Sequence, residues 1–331
     1  MSEIRTEPVS ERLAWKGADM ARSDAWLYRF SARALAEIED ALNAVERRDL
    51  AVEAVSARDF QVPALQQDFE RIAHELESGR GFVQMKGLPV DRYTPRQAEL
   101  VFWGIGSQFG TALPQNGKGD VLAHVRDEGG DVASGTVRAY QTRAGQSFHT
   151  DMAGDIVALL CLRVSATGGA SRVASSMAVY NALLERYPHY VEVLYRIFAV
   201  DWRGEERPGT SPVYREPIYA ALNGRLACSF QPRLIRSAQL KTGVQLTALE
   251  EEAIATVERI AEELCFDIDF EPGDIQLINN YAILHGRTAY DDHVEPDRRR
   301  HLLRLWLNRS GSRELPDAFA RSAARSGVPV R

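Results

Sequence analysis

Apolar positions along the 331-residue chain change their period several times. In "SDAWLYRFSARALAEIEDALNAVERR" and "ALQQDFERIAHELESG" they recur at three-to-four spacing among Ala, Glu, Leu and Arg, which predicts helices with one buried face. The second is expected to stop at Gly79, a C-terminal glycine. "TPRQAELVFWGIGSQFG" predicts a helix with Thr94 as N-cap and Pro95 at its first position. "SMAVYNALLERYP" adds another, and "TALEEEAIATVERIAEELC" a strongly amphipathic one capped by Thr247, with acidic residues in its first turn. Short apolar or alternating runs predict strands in "GFVQMKGLPV", "VRAYQT", "SFHTD", "DIVALLCLRV" and "RLACSF". The closing "FDIDFEPGDIQLINNYAILHGRTAY" and "RRRHLLRLWLNRS" continue this pattern, with a turn at Pro272-Gly273-Asp274. Residues 1–20 read as a loosely held arm and 21–331 as a single domain. Helices cluster early and in two inserts while strands dominate the middle and end, so the class is α+β: a mainly β core braced by helices. No parallel βαβ rhythm, glycine-rich phosphate loop or repeat is visible.

Two stretches break the pattern. Residues 113–136 and 202–217 are rich in Gly, Pro and polar residues, and long segments of that kind inside a domain are candidate lids. A formal charge of −6 and a pI near 5.7 leave no basic footprint, which argues against nucleic acid as partner but permits a local pocket for a small anion. Cys161, Cys228 and Cys265 form no CxxC and read as core thiols in a reducing compartment. The first residues lack the apolar core of a secretory signal, and no run approaches the ~18 apolar residues of a membrane span. The expectation is a soluble, cytoplasmic protein with a small-molecule substrate and no membrane partner, with room for a homo-oligomer.

The chemistry begins at "SFHTDMAGD", where His149 and Asp151 stand two apart and so on one face of a strand. His285, at the end of the apolar "AIL", is the candidate third ligand. Two histidines and a carboxylate suit non-haem Fe(II) with positions left open, although zinc is a competing metal. The helical HExxH arrangement is absent. In "RRHLLRLWLNR" period-two alternation puts Arg300, Leu302, Arg304 and Trp306 on one face, and His301, Leu303, Leu305 and Leu307 on the other. Arginines between bulky apolar residues need anionic partners, either internal acids or a bound dicarboxylate.

Together, "FHTD", "TGGAS" about twenty residues later, and "LHGRTAYDD" with "RRRHLLRLWL" resemble the taurine dioxygenase/TfdA-like group of Fe(II)- and 2-oxoglutarate-dependent oxygenases, within the clavaminate synthase-like superfamily. The resemblance covers roughly residues 80–310. It implies a double-stranded β-helix, a jelly-roll of the cupin-like kind, with His149, Asp151 and His285 holding iron. Arg300 would clasp the distal carboxylate of 2-oxoglutarate, Ser171 stands where many members carry a cosubstrate-bonding threonine, and Arg304 matches a second arginine that meets cosubstrate or substrate. The implied reaction consumes O2 and 2-oxoglutarate, releases succinate and CO2, and by default hydroxylates an unactivated C–H of a small anionic or amino-acid-like molecule. A carboxylate at 151, where related halogenases carry a small residue, points to oxygen chemistry. Arg138, Tyr140 and Gln141 before the metal ligands, and Gln231 and Arg233 after the strand at 225–230, are candidates to touch substrate. A zinc-dependent hydrolase and a non-catalytic β-helix protein that binds a small acid are the alternatives. The hydrolase gives Arg300 and Ser171 no shared task.

Overall fold

The computed structural model describes residues 4–10, 12–130, 138–311, 314–320 and 327–330. Its first half runs α1 (Gly17–Met20), β1 (Leu27–Arg29), α2 (Ala32–Arg47), α3 (Gln66–Ser78), β2 (Phe82–Lys86), α4 (Pro95–Ser107), β3 (Thr111–Ala112), β4 (Leu122–Val125), β5 (Gln146–His149) and β6 (Ile156–Arg163). β7 (Thr167–Gly168), β8 (Ser171–Ser175), α5 (Ser176–Arg186), α6 (Pro188–Leu194), β9 (Ile197–Asp201), β10 (Val213–Pro217), β11 (Tyr219–Leu222) and β12 (Arg225–Cys228) follow. The chain then forms α7 (Pro232–Thr242), α8 (Ala248–Leu264), β13 (Phe266–Ile268), β14 (Ile275–Asn279), β15 (Ile283–Arg287), β16 (Tyr290–Asp291), β17 (His301–Asn308) and α9 (Asp317–Ala320).

A seven-stranded sheet has the order β1-β2-β14-β6-β17-β3, with β4 also pairing β17. A four-stranded sheet has the order β13-β8-β15-β5, and three two-stranded ribbons complete the β structure among the described residues. The larger sheet is two-faced in the way period-two patterning demands. Val83, Met85, Ile156, Ala158, Leu160, Ile275, Leu277, Leu303, Leu305 and Leu307 pack in one apolar layer with α2, α3 and α4. Gly106 of α4 lets helix and sheet approach closely; a Cβ there would stand 2.6 Å from Leu305 Cδ1. The alternate residues Phe82, Val157, Ile278 and Trp306 join Phe148, Val173 and Ile283 of the smaller sheet, with α5 and α8 in the same core. This interior layer also carries Gln84, Gln276 and Arg304, all buried. Those polar positions mark where the chemistry sits.

Local signals explain most helix ends. Thr94 and Gln97 make a reciprocal capping box at α4, as do Thr247 and Glu250 at α8. α7 ends on Gly243 in the left-handed region, φ 69°. Several expectations need correction. The stretch expected to turn helical at Ser23 first forms β1, held by parallel pairing with β2, and the helix starts only after Ser31, whose Oγ accepts the Ala34 N–H at 3.1 Å. That pair is also the parallel element the sequence pattern did not show. Residues 139–141 form a 3-10 turn, not a strand. The 113–136 segment contains β4, and its residues 131–136 lie outside the described residues. The 202–217 segment contains β10, which pairs with β9.

The N-terminal arm lies against the body. Trp15, 4% exposed, donates its indole N–H to the Arg80 carbonyl at 2.7 Å, and Leu13 accepts from Ser175 Oγ at 2.6 Å. Cys161 and Cys228 are buried, but Cys265 is only half-buried, beside Arg172. Among the described residues no helix is long and apolar enough to cross a membrane.

Candidate metal centre

Antiparallel pairing of β5 with β15 sets His149 directly opposite His285, with ring centroids 4.4 Å apart. β5 ends at His149, so Asp151 lies just beyond the strand and needs another device to aim it. Asn280, 2% exposed and between β14 and β15, supplies one. Its Oδ1 accepts the Asp151 N–H at 2.8 Å, and its Nδ2 donates to the carbonyls of Asp151 at 2.9 Å, Gly154 at 3.0 Å and Ala153 at 3.3 Å. The loop that delivers His285 therefore also clamps the turn that delivers Asp151. Nε2 of each histidine lies 3.9 Å from an Asp151 oxygen, and the three donor atoms fall within 4.8 Å of one another.

The donor set fits a divalent transition metal. His149 Nδ1 faces the Ser147 carbonyl at 2.8 Å; a carbonyl can only accept, so Nδ1 carries the proton and Nε2 keeps its lone pair. Burial, reinforced by His149, pushes the His285 imidazole down to about 3, so it is neutral near pH 7. Burial acts to raise the Asp151 carboxyl, but Arg304, the two histidines and the Trp306 N–H outweigh it and hold it below its ordinary range. The Trp306 indole donates to Asp151 Oδ2 at 2.6 Å, and Arg304 Nη1 lies 3.5 Å from Oδ1.

Arg304 is fixed on its other edge by Gln115, whose Oε1 accepts from Nε at 2.7 Å. Its guanidinium lies 4.8 Å from both the Tyr140 and Trp306 ring centroids. Ser171 of β8 is buried and donates to Gln276 Oε1 at 2.8 Å. Arg300, 4% exposed, stacks over Tyr290 at 5.1 Å and leaves Nη1 buried without a hydrogen-bond partner. Burial lowers its pKa, and no described carboxylate forms an ion pair with its side chain.

A cavity of about 660 Å³ opens over His149, Asp151, Arg304 and Trp306. Arg138, Tyr140, Arg203, Gln231 and Arg233 line its walls. Arg138 is paired with Glu205. Gln231 accepts the Tyr214 hydroxyl at 3.2 Å and leaves Nε2 buried and unbonded. Arg233 lines the cavity without an ion pair to any described residue. Gln141, in contrast, is not part of the wall: it accepts the Arg138 N–H at 2.9 Å and donates to Glu128 at 2.7 Å, closing its own turn. Asn280, Gln115 and Arg203, and the bond from Trp306 to Asp151, are features that sequence reasoning missed. The adjacent asparagines of "INNY" were the visible trace of the first.

Residues 46–306 match the family described as taurine catabolism dioxygenase TauD, TfdA family. The chain is 35% identical over 326 residues to FR-33289 synthase of Streptomyces rubellomurinus, covering 97% of this chain and 96% of that one. It is 30% identical over 311 residues to the taurine hydroxylase-like protein SAT17 of Stachybotrys chartarum, covering 90% and 79%. Among solved structures, asparagine oxygenase in complex with Fe(II), 2S,3S-3-hydroxyasparagine and succinate shares the fold at TM-score 0.67 and 16% identity, over 85% of this chain and 93% of that one. The non-haem iron oxygenase OrfP with Fe, succinate and (3S)-hydroxy-L-Arg does so at TM-score 0.65 and 12% identity, over 92% and 99%. With the family matched over most of its length and a relative aligned end to end, this chain belongs to the TauD/TfdA dioxygenase family.

Proposed function

We propose that the protein is an Fe(II)- and 2-oxoglutarate-dependent dioxygenase that hydroxylates a small anionic or amino-acid-like molecule, releasing succinate and CO2. One observation carries this reading: His149, Asp151 and His285 bring three donor atoms together, the first two at the wall of a cavity, and Arg300 is buried with an unsatisfied N–H and no ion pair to a described carboxylate. An unpaired buried guanidinium is costly, and a dicarboxylate cosubstrate removes that cost. Relatives in the family and fold neighbours holding Fe and succinate support it. We read the two larger sheets as a double-stranded β-helix and residues 21–331 as one oxygenase domain.

When bound at the triad, Fe(II) supplies the activation of O2 that attack on an unactivated C–H requires. The chain's own groups do the rest. Arg300 anchors the far carboxylate of 2-oxoglutarate with the Ser171 hydroxyl beside it. Trp306 and Arg304 keep Asp151 ionised and aimed, and the stacked Tyr140, Arg304 and Trp306 help form a sheltered floor. Because Arg304 is engaged by Asp151 and Gln115, and Arg138 by Glu205, Arg233 is the group we assign to a substrate anion such as a carboxylate, sulfonate or phosphonate. The fold neighbours with hydroxylated amino acids bound are consistent with a substrate of that size.

Anaerobic titration of the Fe(II) protein with 2-oxoglutarate tests the reading through the visible metal-to-ligand charge-transfer band. The expected result is a band in wild type that Arg300→Ala loses or weakens, with O2-dependent succinate formation. A fully metallated wild type with no band overturns it.

A further inference from the structure

Arg300 is not the only buried guanidinium with N–H groups left unpartnered. Arg287 stands two residues after His285 on β15, on the same face of the strand, and is directly opposite Ser171 of β8 in register. It is 5% exposed. Its Nη2 donates to the carbonyls of Thr142 at 2.8 Å and Ala144 at 2.5 Å, which fixes the group in place. Nε and Nη1 are buried with no hydrogen-bond partner, like Nη1 of Arg300 and the hydroxyl of Tyr290. Tyr290 ties the two arginines together: its ring centroid is 4.8 Å from Arg287 Cζ and 5.1 Å from Arg300 Cζ. Neither neighbouring acid forms an ion pair with either guanidinium. Asp127 forms its ion pair with Arg143 at 3.0 Å, and Asp292 Oδ1 accepts the backbone N–H of Arg300 at 2.7 Å.

Two buried guanidinium groups against one ring, both with unsatisfied donors, describe a site built for an anion. We propose that Arg287 is a second cationic binding residue for the far carboxylate of the 2-oxo acid, which is held jointly by Arg300 and Arg287. This rests on the cosubstrate reading above and extends it to a residue that reading does not use. The consequence is selection for a dicarboxylic 2-oxo acid over a monocarboxylic one.

The test compares 2-oxoglutarate with 2-oxobutyrate, which keeps the chelating end and lacks the far carboxylate. Dissociation constants are measured by anaerobic titration of Fe(II)-loaded wild type, Arg287→Gln and Arg287→Lys. Removing one partner of a buried charge pair weakens binding by about 30-fold or more, so Arg287→Gln is expected to lose that factor for 2-oxoglutarate and nothing for 2-oxobutyrate. Arg287→Lys, which keeps the charge without the planar fork, is expected to fall between. It carries the same comparison alone if the Gln variant does not fold. Equal losses for both acids would show that Arg287 acts only through the Thr142 and Ala144 carbonyls and overturn the proposal. So would unchanged 2-oxoglutarate binding in a folded variant. A metallated wild type that binds neither acid overturns the cosubstrate reading itself, and this proposal with it.

Discussion

Replacing Asn280 by Ala separates the cost of the clamp from its function. The side chain makes four hydrogen bonds to the 151–154 turn, three of them between 2.8 and 3.0 Å and one at 3.3 Å. At a net worth of about 1 kcal/mol each, the three shorter bonds give a stability loss of about 3 kcal/mol, since Ala offers the buried turn no replacement partner. For a chain of this size that is a fall in Tm of about 4 °C, read by thermal denaturation of the metal-free protein. The same change frees Asp151 to leave its position opposite the two histidines. Loss of an outer support for a metal ligand typically weakens metal affinity 10–100-fold, so the Fe(II) dissociation constant, measured anaerobically, is expected to rise by about that factor. An Asn280→Ala protein that loses stability but binds Fe(II) as wild type does would refute the argument, because the turn would then be aimed by the Trp306 and Arg304 contacts alone.

Trp306→Phe removes the N–H that reaches Asp151 at 2.6 Å along with part of a buried ring, so Fe(II) affinity is expected to fall about tenfold alongside a loss of stability; a shift confined to Tm would contradict this. Gly169 sits at φ +79°, and a Cβ there would lie 2.7 Å from Ser165 Oγ and 3.1 Å from Arg300 Nε. Gly169→Ala should cost about 1–3 kcal/mol in urea denaturation and weaken 2-oxoglutarate binding as Arg300 is displaced. His301 is bonded to His124 at 2.8 Å, and burial, with His124 and Arg163 near, pushes it down to about 3. Its folded value lies below the ordinary value of about 6.5, so on acidification the unfolded chain takes the proton first and stability falls from about pH 6.5 towards 3. Between pH 6.5 and pH 5 that is about 2 kcal/mol, and the difference between wild type and His301→Gln in urea midpoints at the two pH values isolates it. A variant as acid-sensitive as wild type would assign the effect elsewhere.

What the sequence made legible was what its own neighbourhood determines. The alternation in "RRHLLRLWLNR" was readable because from Leu303 onward each face of β17 meets one environment: helices beneath Leu303, Leu305 and Leu307, and the interior at Arg304 and Trp306. Thr94 and Thr247 were readable as caps because their partners lie three residues away. β1 was not, because its order comes from pairing with β2 more than fifty residues later. The turn at 139–141 has a strand-like composition, and only the bond from the Arg138 N–H to the Gln141 side chain reveals it. In the site, the three metal-ligand candidates carried their own chemistry on the page. Asn280 did not, since an asparagine after a strand is an ordinary turn residue and its partners stand 126 to 129 positions earlier.

The two-faced strand at the end of the chain also acts as a reading frame. One residue inserted into β17 between Arg304 and Trp306 would carry the indole away from Asp151 and swing it towards the helices, while its leucines turned towards the cavity. The same insertion in the 293–299 connection, which is largely exposed, leaves the pairing frame of β17 unchanged. Variation in length can therefore accumulate ahead of Arg300 as long as Asp292 still reaches the Arg300 N–H. Within the eight residues of β17, sequence drift is restricted to substitutions that keep each face's character.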